Sequence, residues 1–181
     1  MTPASVFSPW AGYARALGLA SGRQAQWDVV SGLLEAAFGH RLFTALLYLE
    51  EHRLMKRLYT SDDSISPLGG FKATGNGPWS RHVLEQGRLY VASKEDDVRS
   101  GFSEAPMLID RGLQSALNIP VRHEGRVIGS LNLLSGRHAY DGADQDLAAV
   151  IAGLCTPVFL EEMWAAQSAA AEVDRSQLDS V

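Results

Sequence analysis

Cysteine is nearly absent from this sequence of 181 residues: Cys155 stands alone. One cysteine excludes an internal disulfide framework and any cysteine-rich zinc cluster. Its setting, Ile151–Ala152–Gly153–Leu154–Cys155, is apolar and helical in pattern, so it reads as a small buried hydrophobe. Positive charge is also scarce: 16 Lys and Arg stand against 21 Asp and Glu, a formal net charge of −5. A dedicated nucleic-acid surface needs clustered cations to displace counterions, and Arg53–Lys56–Arg57 is too short a stretch to supply one. No run of about 18 consecutive apolar residues appears, so nothing is expected to span a membrane. The first residues lack a basic start followed by an apolar core, the mark of a secretion signal, and the cytoplasm is the expected home.

Chemistry-bearing motifs are missing too. Gly69-Gly70-Phe-Lys72-Ala-Thr-Gly75-Asn76-Gly77 is glycine-rich but not at Walker or Rossmann spacing. None of the five histidines, His40, His52, His82, His123 and His138, pairs with Cys or a carboxylate at metal-ligand spacing. His40, His52 and His123 read as solvated. His82, three residues after Trp79, is a structural histidine or a site residue. No metal or cofactor is expected.

What is present is a 46% hydrophobic chain with clear periodicities, enough for one core. Ser8-Pro9 resembles a helix start, with Trp10, Tyr13, Ala14 and Leu17 on one face before Gly18. A second helix is predicted from about Gln24 to Phe38, carrying Trp27, Val30, Leu34 and Phe38 inward and ending at Gly39. Residues 42–61 read as two strands across the charged tip Glu50–Arg53. The following Gly-, Ser-, Asp- and Pro-rich stretch has no periodicity and is longer than most connections, which marks it for function. A short helix around Trp79–Leu84 closes at Gly87, a strand runs Arg88–Ser93, the acidic Lys94–Asp97 follows, and a helix lies within Ser103–Arg111.

Gly112 then opens a hairpin, LQSALNIPVRHEGRVIGSLNLLS, with Ser115, Asn118, Ser130 and Asn132 inside its apolar runs. Asp141, with Asp144 three positions on, is expected to cap a long helix with Leu147, Val150, Ile151, Leu154 and Val158 inward. Pro157 is expected to kink or interrupt that helix. Residues after Trp164 read as a fraying helical extension or a disordered tail. The order of elements predicts an α+β fold: an antiparallel sheet, the long helices on one side and short helices with loops on the other.

This pattern resembles the GAF domain family. Gly112-Leu-Gln-Ser115-Ala-Leu-Asn118-Ile-Pro120-Val121 and Gly125-Arg-Val-Ile128-Gly129-Ser-Leu131-Asn132-Leu133 carry the likeness, with Tyr140-Asp141 beyond them. Tyr59-Thr-Ser61, Pro67-Leu-Gly69-Gly70-Phe-Lys72 and Trp79 further resemble small stand-alone bacterial members. The resemblance implies a profilin-like sheet of five or six strands, a small-molecule pocket beneath the irregular segments, and dimers through the terminal helices. The expected division is an N-terminal extension over 1–23, the GAF-like domain over 24–165 and a polar tail over 166–181.

Alternate residues of a strand point to opposite sheet faces. If Ser115 and Asn132 point away from the long helices, they offer hydrogen bonds to a ligand. Asn118 has the opposite parity to Ser115 and joins them only if a bulge intervenes; alternatively all three are satisfied within the sheet. With Tyr59, Lys72, Trp79 and Phe102 they form the candidate ligand-binding set. Arg57 is a second cation for an acidic group.

Some GAF proteins reduce free methionine sulfoxide with pocket-covering cysteines, and phytochrome-like relatives attach a bilin there. Segments 60–80 and 94–112 contain no cysteine, which argues against both. The expectation is a non-catalytic sensor of an unidentified small molecule, acting through a homodimer or a partner protein. The alternatives are a GAF-derived enzyme using Lys72, His82 or a carboxylate among Asp96, Asp97, Glu104 and Asp110, and a ligand-free dimerisation module.

Overall fold

The computed structural model describes residues 3–171 with Val173 and Leu178, and side chains from Trp10 onward except Ser168. Most of the tail assigned to 166–181 lies outside the described residues. Its first part, to Ala171, is helical, as the reading of a helical extension expects.

Helix α1 (Pro3–Leu19) starts earlier than Ser8-Pro9 implies and runs through Gly18. It packs on α2 (Arg23–Phe38), whose buried Trp27, Val30, Leu33 and Leu34 follow the helical repeat. Gly39 ends α2 with φ 67°, a left-handed conformation that glycine adopts without a Cβ penalty. Six strands follow: β1 (Leu42–Leu49), β2 (Leu54–Thr60), β3 (Phe71–Ala73), β4 (Tyr90–Ala92), β5 (Ser115–His123) and β6 (Arg126–Ser135). They form one antiparallel sheet in the order β3-β2-β1-β6-β5-β4. Strand β1 is central and buried on both faces, as its unbroken apolar run requires.

Helices α2 and α5 (Gln145–Ala171) cover one sheet face. Asp144, not Asp141, caps α5: its Oδ1 accepts from the backbone N–H groups of Asp146 and Leu147 at 2.9 and 3.0 Å. Asp141 instead meets His138, Nδ1 to Oδ2 at 2.8 Å. Pro157 does not interrupt α5. By length and composition Gln145–Gln167, with mean hydropathy 1.5, suffices to cross a membrane. Its buried Ala148, Ile151, Cys155, Val158 and Phe159 close on the sheet core, while Val150 is exposed.

The opposite face is covered by residues 61–79, a π-helical turn (Ser80–Glu85), α3 (Glu95–Gly101) and α4 (Ala105–Asp110). Strand β3 and α3 are additions to the sequence expectation. Helix α3 is anchored by Asp97, whose Oδ2 accepts from the N–H groups of Ser93 and Lys94 at 3.0 and 3.2 Å.

Two small apolar clusters fill this side. Leu42, Ala92, Val98, Leu108 and Leu134 form one; Tyr48, Met55, Trp79, Val83 and Leu84 form the other. Phe102 and Tyr90 pack against both.

Candidate functional site

The site is set by strand register. Asn118 lies opposite Asn132, Asn132 opposite Thr44, and Thr44 opposite Thr60. Tyr90 extends the row on the other edge by pairing with Asn118. Cross-strand partners share a face, so a polar belt crosses the sheet on its covered side. The neighbouring row is Arg57, Leu46, Ser130 and Pro120. Apolar rows flank both: Leu42, Leu134, Ala116 and Ala92 at one end, Tyr48 and Met55 at the other.

The parity expected for the hairpin is therefore corrected. Asn118 and Asn132 share the covered face, while Ser115 lies opposite Ser135 on the helix side. Ser115 Oγ donates to the carbonyl of Gly136 at 2.6 Å. The cause is a bulge between Val121 and Arg122, which shifts β6 by one residue against β5. A one-residue shift turns Asn132 to the other face.

Tyr59 also faces the helices, stacked on Trp27 at 5.9 Å between ring centroids. Lys72, Trp79, Phe102, Asn118 and Asn132 are brought to the covered side, and Tyr59 and Ser115 are not. Lys72 pairs with Glu104 of the cover at 3.5 Å. His82 donates from Nε2 to the carbonyl of Leu89 at 3.0 Å, a structural role. His40 is not solvated; its ring sits 3.3 Å from the Ser31 carbonyl.

Hydrogen bonding within the belt is directional. Asn132 Nδ2 faces the carbonyls of Thr44 at 3.4 Å and Ser130 at 3.5 Å, both acceptors only. Asn132 Oδ1 therefore points at Asn118 and accepts from its Nδ2 at 2.7 Å. That leaves Asn118 Oδ1 buried without a donor. Among the described residues Ser130 Oγ, Trp79 Nε1 and Arg57 Nε on the same side are buried without partners as well, as is Trp27 Nε1 on the helix side. An unmet buried polar group costs ~1–3 kcal/mol, so each of the four gains from a bonding partner, a water or a ligand.

A cavity of about 60 Å³ opens beside this row, lined by Leu46, Met55, Arg57, Pro67, Lys72 and Glu104. A larger concavity of about 620 Å³ lies at the hairpin tips beside Met163 and Gln167. That groove is open, and its Glu50, Glu124 and Arg126 are already exposed to solvent. Of the four unmet groups, Arg57 lines the smaller cavity, and Ser130 adjoins its wall residue Leu46 in the sheet. Among the described residues no cluster of His, Cys, Asp or Glu is arranged to hold a metal ion.

The GAF domain sequence pattern matches residues 24–159. This chain belongs to the GAF domain family. No curated protein matches it in sequence. Among solved structures, the GAF domain of an Acinetobacter phosphoenolpyruvate-protein phosphotransferase superposes with TM-score 0.71 at 11% identity, covering 91% of this chain and 98% of that one. The type II free methionine-R-sulfoxide reductase of Thermoplasma acidophilum gives 0.61 at 18% identity, covering 77% and 92%. The GAF domain of a Bacillus halodurans two-component sensor histidine kinase gives 0.61 at 17%, covering 78% and 95%. At these identities the likeness is one of fold.

GAF domains commonly act as small-molecule-binding sensors. In this GAF domain the one thiol is remote from the covered face. Cys155 is fully buried in the helix-side core, and burial pushes its pKa up to about 12. A thiol held protonated at neutral pH is neither nucleophile nor redox partner.

Proposed function

We propose that this chain is a non-catalytic sensor that holds a small molecule between the sheet and its irregular cover. The ligand meets Asn118, Asn132 and Ser130 from below and Trp79, Phe102 and Lys72 from above. One observation carries the reading: four buried polar atoms without partners among the described residues, Asn118 Oδ1, Ser130 Oγ, Trp79 Nε1 and Arg57 Nε, lie on the covered side of the sheet. A purely structural layer gains by replacing such groups with hydrocarbon. A binding site needs them.

The signal passes through association of the terminal helices, with a second copy or a partner protein. Val150 and Trp164, 57% and 66% exposed, are fourteen residues apart on α5, close to four full turns. They therefore lie near one helix face, an apolar stripe suited to a homodimer. The single, buried thiol suits the reducing cytoplasm.

Thermal-shift measurements with a metabolite library test the reading. At least one compound should raise the melting temperature of the native chain, and the shift should vanish in Asn118→Leu and Trp79→Ala variants that still melt cooperatively. No stabilisation by any compound, with ordered water alone on the four atoms in a crystal, would leave a ligand-free scaffold. Turnover of the stabilising compound would make the protein an enzyme.

A further inference from the structure

The site's electrostatics narrow the ligand class, an inference that rests on the sensor reading above. Arg57 projects from β2 on the covered face, opposite Leu46. Its one hydrogen bond among the described residues runs from Nη1 to the carbonyl of Pro67, at 2.8 Å. A carbonyl holds the guanidinium in place without neutralising it. The nearby carboxylates are engaged elsewhere: Glu104 lies 3.5 Å from Lys72, and Asp63 Oδ1 accepts from the Leu68 N–H at 2.8 Å. Lys72 and Glu104 offset one another, so the cavity keeps one positive charge from Arg57. Burial draws that guanidinium below its usual range, against the smaller opposing pull of Glu104 and Asp63.

Nε is the buried donor left over. Guanidinium donors form a planar fork, and an Nε with its neighbouring Nη matches the two oxygens of a carboxylate. The cavity of about 60 Å³ gives room for about two waters, which is the scale of a carboxylate head and not of a ring. Its other walls, Leu46 and Met55, are apolar and suit a short carbon chain. Ser130 adjoins Leu46 in the same sheet row, so that chain is directed toward the unmet groups of the belt.

We propose that this cavity binds the carboxylate of a small organic acid, anchored on Nε of Arg57.

The test uses the full chain at fixed ionic strength, with sodium acetate, propionate and butyrate as probes. Propionamide, propylamine and inorganic phosphate serve as comparisons. The carboxylates should raise the melting temperature with saturable dose dependence, and propionamide and propylamine should not. Arg57→Gln should abolish the effect. Arg57→Lys, which keeps charge but loses the fork, should weaken it at least tenfold and stands in should Arg57→Gln fail to fold. Equal stabilisation by propionamide, tighter binding of phosphate, or saturable carboxylate binding unchanged in both variants would overturn the proposal.

The two failures are separable. Stabilisation by uncharged compounds alone, lost in Asn118→Leu but kept in Arg57→Gln, would remove the carboxylate and leave the sensor. Silence from every charged and neutral compound would remove both.

Discussion

Asn118 and Asn132 face each other across β5 and β6, the first donating to the second at 2.7 Å, and both are buried. Leucine has asparagine's branched outline with bulkier ends, so replacing the pair leaves no cavity and adds some overpacking. Either single change to leucine strands the other amide, at ~1–3 kcal/mol. Asn118→Leu/Asn132→Leu should cost less than the two singles together, because no half-pair remains. Urea denaturation of the four proteins measures this. Strict additivity would show that the amides do not act as a unit.

That pair also marks where the sequence stops being readable. Helix α2, the two hairpins and the two-sided burial of β1 follow from apolar periodicity alone, because long amphipathic segments repeat their signal several times. Short elements do not. Helix α3 has seven residues and one buried side chain, Val98, so no repeat develops. Strand β3 has three half-buried residues at the sheet edge. The placement of the candidates was legible in part: Lys72, Trp79, Phe102, Asn118 and Asn132 reach the covered face, and Tyr59 and Ser115 do not. The site's geometry was not. Counting alternation back from the Glu124-Gly125 turn places Asn132 with Ser115, and only the bulge at Val121/Arg122 reverses it. No residue type announces such a bulge. Ser130 and Arg57 were visible as polar interruptions of apolar strands, but their unmet atoms emerge only from register and burial.

Gly129 is fixed by close approach. A Cβ there would strike the ring of Phe159 from α5 and the carbonyl of Leu46 from β1. Gly129→Ala should therefore destabilise the fold by ~1–3 kcal/mol, the usual cost of overpacking a core. Adding Phe159→Leu should recover only part, because a flexible ring can be removed and a backbone carbonyl cannot. Full recovery in the double variant, by denaturation midpoint, would show that the carbonyl clash relaxes freely.

Cys155 should be chemically silent in the folded protein. Burial holds the thiol protonated with a pKa of about 12, so at pH 8 the thiolate is scarce as well as inaccessible. A thiol-reactive disulfide reagent should give no colour with native protein and one equivalent in denaturant. Rapid native labelling would mean that α5 lifts from the sheet on the labelling timescale.

Glu162 gives the fold a pH dependence of defined sign. It is buried on α5 beside the exposed Arg23. Burial raises its pKa, against the smaller opposing pull of Arg23 and Lys56. The folded chain then binds this proton more tightly than the unfolded chain, whose glutamate titrates near about 4.3. The group's contribution is fullest below that value and declines as pH rises through the raised folded value. Glutamine mimics the protonated carboxyl and lacks this slope. Glu162→Gln should match the parent in urea midpoint near pH 4 and exceed it at pH 7. A parent more stable than the variant at pH 7 would show that the attraction of Arg23 outweighs the cost of burying the charge.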